Sequence, residues 1–241
     1  MDSSGYILKF TLVMTVVSAL ALAGMFYATE PIAKQSEAVF NKRAVLSAVN
    51  THLSKPLETM SDQEVLSVFE KQVEQITIKY SGEEVDGVKA EKVDLAQEKK
   101  KPEAERMLPI FIYNDPDKGE KYYILAVRGN GLWDEIWGYI ALESDLNTVA
   151  GASFDHKSET PGLGAEIKDN PAFPRQFISR KIYNDKNEFV SVAVRKGGAR
   201  EKEQEVDAIT GATISSVGVS EMIHRGLLYY KPFLDKIKSG N

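Results

Sequence analysis

Nine residues near the C-terminus, Asp207-Ala-Ile-Thr-Gly-Ala-Thr-Ile-Ser215, gather the side chains best suited to chemistry in this chain. Thr210, Thr213, Ser215 and Ser216 set four hydroxyls around Gly211, and an apolar periodic run that reads as a long helix follows at once. The first N–H groups of a helix lack intrahelical acceptors and lie at the positive end of its dipole, while a glycine lets backbone approach a ligand closely. Such a place suits a phosphate. Threonine and serine are also favoured helix N-caps, so the residue types alone leave two readings open: an anion site, or a cap made by Thr213 or Thr210.

Two other stretches carry unusual residue combinations. His156-Lys-Ser-Glu-Thr-Pro-Gly-Leu-Gly-Ala165 places one proline and two glycines in a short span. That composition defines a sharply turned loop, either a plain turn or one whose backbone lies against a flat ligand. Gly131-Leu-Trp-Asp-Glu-Ile-Trp137 holds both tryptophans of the chain, residues that are ordinarily core or edge aromatics. The histidines, His52, His156 and His224, have no metal-ligand spacing, so no metal is expected. Gly162-x-Gly164 is followed by Ile167 where a dinucleotide fingerprint needs a third glycine, and Gly129-x-Gly131 by Asp134, so NADH is not expected to bind this chain.

The string Asp207-x-x-Thr210-Gly211-Ala212-Thr213-x-Ser215 resembles the attachment motif of periplasmic flavin transferases, Asp-x-x-Ser/Thr-Gly-Ala-Thr-x-Ser/Thr, with Thr210 where Ser is commoner. The His-x-Glu-Thr-Pro-Gly-Leu-Gly pattern within residues 156–164 resembles the flavin-facing loop of the same covalent FMN-binding domain family. The Gly131-Leu-Trp133 stretch is more similar to the flavin-carrying subunit of sodium-translocating NADH:quinone oxidoreductases than to its counterpart in Rnf electron-transport complexes. The resemblance implies FMN joined by a phosphoester to Thr213, with Thr210, Gly211, Ala212 and Ser215 around it. It implies flavin contacts from Glu159, Thr160, Gly162, Leu163 and Gly164, and recognition of Asp207 by the transferase. It also implies an electron carrier with no active site of its own, passing electrons within a complex from NADH toward quinone, coupled to Na+ export. Its partners would be the other membrane subunits and, during maturation, a periplasmic flavin transferase. The alternatives are the Rnf counterpart, with the same flavin chemistry, and a membrane-anchored non-redox binding or assembly protein.

The rest of the chain must position these residues. Its 241 residues and 43% hydrophobic content suffice for one domain with an accessory element. A net charge of −5 gives no basic footprint for nucleic acid, and no nucleic-acid partner is expected. The absence of cysteine excludes thiol catalysis, disulfides and iron–sulfur clusters. Residues 6–28 form an apolar run long enough to span a bilayer, read as an anchor rather than a cleaved signal peptide. Residues 1–5 are then a cytoplasmic N-terminus, 29–60 a helical stalk and 61–241 a periplasmic FMN-binding domain. The charges around its uncharged stretch over 10–28, Lys9 before it and Glu30, Lys34 and Glu37 after it, do not choose a side. The family places the large domain on the periplasmic side of a bacterial inner membrane, single-pass.

Periodicity predicts an amphipathic helix over 33–53 and a second helix over 61–75 opened by a capping box, Ser61 to Glu64. Residues 79–106 read as a solvated linker. Strands are predicted over 108–113, 122–127, 136–142, 149–154 and 189–194, a helical segment near 171–180, and the final helix over 215–237 with Val219, Met222, Ile223, Leu227 and Tyr230 on its buried stripe. The expected class is α+β: an antiparallel sheet packed against helices, behind one transmembrane helix and a stalk.

Overall fold

The computed structural model describes residues 3–240, so Met1 and Asp2 of the expected cytoplasmic segment, and Asn241, lie outside the described residues. The chain divides into two compact units, residues up to Asn41 and residues from Lys42 onward. Helix α1, Ser3–Ser47, is continuous and contains Pro31. The sequence predicted two helices separated near this proline. Proline removes one helical N–H but is compatible with a continuous helix when good helix formers flank it, as Ala28 and Ala33 do here. The large apolar side chains from Tyr6 to Tyr27 are all exposed, and α1 is long and apolar enough to cross a membrane.

In the second unit, α2 (Asp62–Gln72) opens with the predicted capping box: Glu64 N–H donates to Ser61 Oγ, and Ser61 N–H donates to Glu64 at 2.7 Å. It ends at Gln72 rather than near 75, because Val73–Lys79 is a strand, β1. Val73, Ile76, Thr77 and Ile78 are β-branched, and their pairing with β2 (Met107–Asn114) outweighs continuation of the helical stripe. Residues 79–106 are more ordered than a solvated linker. Short turns and α3 (Leu95–Glu98) bury Ala90 and Glu98, and the Glu98 carboxylate accepts from Met107 N–H at 2.9 Å.

The strands β1, β2, β3 (Lys121–Asn130), β4 (Glu135–Leu142) and β5 (Val149–His156) form an antiparallel meander in chain order. Alternation along β2 sends Leu108, Ile110 and Ile112 into the core shared with the last helix, while Phe111 meets Phe69 of α2 on the other face. Beyond β5, α4 (Glu166–Asp169) and α5 (Ala172–Arg175) pack an aromatic cluster of Phe154, Phe173 and Phe177. The predicted strand over 189–194 is displaced: Phe189 makes one isolated bridge with Tyr183, and the ladder is β6 (Ala193–Arg195), parallel to β7 (Glu205–Asp207). The final helix α6, Thr213–Lys238, starts two residues before the predicted boundary and buries all five stripe residues.

Helix α6 lies against β3 through glycines. A Cβ added at Gly218 would come under 3.0 Å from the Asn130 carbonyl oxygen, and one at Gly226 under 3.0 Å from the Val127 side chain. Tyr230, further along, buries its ring completely and sets its hydroxyl 3.0 Å from both Pro109 O and Ala126 O, tying α6 to β2 and β3.

Candidate functional site

The meander determines where the motifs meet. Asn130 at the end of β3 pairs with Glu135 at the start of β4, and Ile136 pairs with His156 at the end of β5. The 131–134 turn and the 157–165 loop therefore leave the same end of the sheet. Gly218 holds the first turns of α6 against Asn130 and Gly131 at that end. Three segments far apart in sequence converge there for topological reasons.

At the helix start, Thr213 is the first helical residue and Ala212 is the N-cap, with no side-chain capping bond. This excludes the reading of Thr213 as a cap. Among the described residues its hydroxyl has no hydrogen-bond partner, and Thr210 is exposed without one. The first helical N–H to find a backbone acceptor is that of Ser216, donating to Ala212 O at 2.9 Å. The N–H groups of Thr213, Ile214 and Ser215 thus remain available at the positive end of a 26-residue helix. Ser216 turns back instead, its Oγ accepting from Ile209 N–H at 3.1 Å. Gly211 has φ +80°, a backbone conformation that favours glycine, and an added Cβ would sit 2.9 Å from the Leu163 side chain, so loop and helix start touch there.

In the loop, Leu163 N–H donates to Thr160 O at 3.1 Å across Pro161 and Gly162, and Gly162 has φ +75°. Proline followed by a positive-φ glycine is the signature of a type II turn. It presents Leu163, 42% exposed, beside Gly211. Glu159 lies beneath, 5% exposed. Its Oε2 accepts from Ser215 Oγ at 2.6 Å and its Oε1 from Trp133 N–H at 3.0 Å. Trp133 Nε1 donates to Thr160 Oγ1 at 3.1 Å, and Lys157 pairs with Asp134 at 3.0 Å. The hydrogen bond from Glu135 N–H and the ammonium of Lys157 hold the Asp134 carboxyl below its ordinary range.

The structure thus brings Thr213, Gly211, Ala212, Ser215, Glu159, Thr160, Gly162, Leu163 and Gly164 together. Asp207 stands apart in role: it is the last residue of β7 and its carboxylate accepts from Ala199 N–H at 2.7 Å, closing the Gly197-Gly198 turn. The sequence singled out Trp133 but not the other exposed apolar residues, Leu132, Ile214 and Val217. Leu132, Trp133, Ile214 and Val217 are all 45% exposed or more, Ile214 and Val217 on the first turns of α6 and Trp133 joined to Ser215 through Glu159. The signal was present, since Ile214 and Val217 fall outside the buried stripe of α6.

These features fit flavin mononucleotide. An unpartnered hydroxyl beside free helix N–H groups suits its phosphate, and the exposed Trp133, Leu163, Ile214 and Val217 suit a flat, largely apolar ring. Residues 131–228, which hold the three converging segments, match the FMN-binding domain family. The chain is 36% identical to the NqrC subunit of the Na(+)-translocating NADH-quinone reductase of Parabacteroides distasonis, known as a crystal structure. That likeness covers 84% of this chain and 95% of the other, with a TM-score of 0.73. Among curated relatives, the NqrC of Pseudomonas aeruginosa is 29% identical over 99% of this chain and 98% of its own length. That of Vibrio vulnificus is 38% identical, over a stretch covering 54% of this chain and about half, 51%, of its own length. The chain belongs to the NqrC family of Na(+)-translocating NADH-quinone reductase subunits.

Proposed function

We propose that this chain carries FMN covalently on Thr213 and serves as the electron-carrying NqrC subunit of a membrane-bound Na+-translocating NADH:quinone reductase. The observation that carries this reading is the Thr213 hydroxyl, free of protein partners among the described residues in the first turn of α6, with the exposed Ile214 and Val217 on the same turns and Leu163 against Gly211. Bound FMN supplies one- and two-electron redox chemistry. The protein's own part is attachment, orientation and exclusion of water. Thr213 Oγ1 is the acceptor in maturation: it forms the bond to the FMN phosphorus of FAD, AMP departs, and the hydroxyl proton is lost. The N–H groups of Thr213, Ile214 and Ser215 then face the remaining phosphate charge. Leu163 and Trp133 offer apolar surface to the ring, with Thr160, Gly162 and Gly164 shaping the loop behind them.

The remaining assignments follow from the same reading. Residues 6–28 anchor the chain in the inner membrane, the stalk leads outward, and the domain over 61–241 faces the periplasm, where a flavin transferase recognises Asp207 and modifies Thr213. Apolar rim left uncovered by the ring is available to the other membrane subunits. A capping-only role for the Thr-Gly-Ala-Thr sequence is disfavoured because Ala212, not a threonine, occupies the N-cap position. The relatives described above favour NqrC over its Rnf counterpart.

The test is made in membranes that contain the assembled complex. Thr213→Val is expected to abolish NADH-driven quinone reduction while centres closer to NADH still accept electrons. Undiminished quinone reduction by that variant would refute the assignment.

A further inference from the structure

The geometry points to Glu159 as the positioning residue of this site, a buried clasp that sets Thr213 and Trp133 relative to each other rather than a contact of the cofactor. This inference rests on the FMN reading above and adds a mechanism to it. One carboxylate joins the three converging segments. Oε2 accepts from Ser215, two residues beyond Thr213, and Oε1 accepts from the backbone of Trp133. The backbone of Glu159 is itself fixed, its N–H donating to His156 Nδ1 at 3.1 Å.

The surrounding sequence is shaped to admit this group. A Cβ at Gly164 would fall under 3.0 Å from Oε2 and from Ser215 Oγ, and a Cβ at Gly131 under 3.0 Å from Oε1. Both glycines are therefore explained by the carboxylate they leave room for, and not by positive φ, which neither has. Among the described residues no lysine or arginine pairs with Glu159. A buried carboxylate without a cation needs hydrogen bonds and a favourable dipole, and it has two donors beside the N-terminus of α6. With each oxygen already accepting a hydrogen bond from the protein and the residue 5% exposed, Glu159 is turned toward its own chain.

The hydrogen bonds make the consequence specific. Glutamine can reproduce the clasp, its oxygen accepting from Trp133 N–H and its amide donating to Ser215 Oγ, whose hydroxyl rotates to suit. Alanine cannot. Gly164→Ala crowds the carboxylate from the other side without altering charge. Ser215→Ala removes the donor and leaves Oε2 unsatisfied.

The full chain is co-produced with a periplasmic flavin transferase at limiting level, and the FMN-bearing fraction is read by intact mass. Backbone hydrogen exchange at Trp133 is measured on the unmodified protein as a readout independent of flavin. Glu159→Gln is expected to load like wild type and keep Trp133 protected. Glu159→Ala, Gly164→Ala and Ser215→Ala are expected to load several-fold less and to lose that protection, with wild-type far-ultraviolet circular dichroism. Wild-type loading and protection in either Glu159→Ala or Ser215→Ala overturns the clasp. So does a Glu159→Gln variant as impaired as Glu159→Ala, since geometry would then not be what matters. Should Glu159→Ala fail to fold, Ser215→Ala and Glu159→Gln decide the question. A wild type that never acquires FMN refutes the underlying functional reading instead, and the exchange data still decide whether Glu159 holds Trp133.

Discussion

Gly218→Ala tests how closely α6 must approach β3 for the site to form. Helix propensity alone predicts stabilisation, since alanine exceeds glycine by about 1 kcal/mol in a helix interior. The structure opposes this. The new Cβ would sit well under 3.0 Å from the Asn130 carbonyl oxygen, whereas ordinary contact begins near 3.4 Å, so α6 must retreat by about 1 Å. The target is backbone and cannot swing aside, which places the overpacking cost near the top of the usual range, about 3 kcal/mol. The net loss is then about 2 kcal/mol, a fall in unfolding midpoint of about 4–8 °C for a domain of this size. Near-ultraviolet circular dichroism suits the measurement because both tryptophans, Trp133 and Trp137, lie in the second unit. Gly226→Ala is the control. Its Cβ meets the Val127 side chain under 3.0 Å, so stability should also fall, but it lies about 20 Å along α6 from Thr213 and FMN loading should persist. Gly218→Ala should lose both stability and loading. A Gly218→Ala protein that melts at or above the wild-type midpoint and loads fully would refute this account of the helix–strand contact.

Further outcomes are expected away from the site. Tyr230→Phe removes a hydroxyl lying 3.0 Å from two buried carbonyls, and should cost about 1–3 kcal/mol in denaturant unfolding with no change in the FMN load. Glu205 accepts from Arg200 N–H, Glu201 N–H and Arg195, which pull its carboxyl from an ordinary 4.5 down to about 2. A depressed folded value means the stabilisation is present above the ordinary value and is lost as pH falls from about 4.5 toward 2. Glu205→Gln should therefore flatten the acid limb of the melting-temperature profile in that window while narrowing its difference from wild type as pH falls.

Much of the site was legible because its signals are local. Thr213 with Gly211, and the Pro161-Gly162 turn, are read from short strings whose backbone demands are nearly independent of context. The final helix was legible from the spacing of Val219, Met222, Ile223, Leu227 and Tyr230. β1 was not, because Val73 continues the stripe of α2 while Ile76 and Ile78 become a strand only through pairing with β2, some thirty residues later. The continuity of α1 through Pro31 was not legible either, because the effect of a proline on a helix depends on the residues that flank it. The role of Glu159 was hidden for a different reason: its partners, Trp133 and Ser215, are 26 and 56 residues away. The resemblance gave Glu159 as a flavin contact, and only the strand order brings to it the two donors that define a clasp.

The central claim is that one threonine, the first residue of α6, holds the cofactor. The most direct test is the intact mass of the denatured full-length protein after co-production with a flavin transferase, wild type beside Thr213→Val, followed by peptide mapping of the modified form. The expected result is one FMN per wild-type chain, mapped to Thr213, and none on the variant. FMN retained by Thr213→Val, or mapped to Thr210 or Ser215 in the wild type, would contradict it.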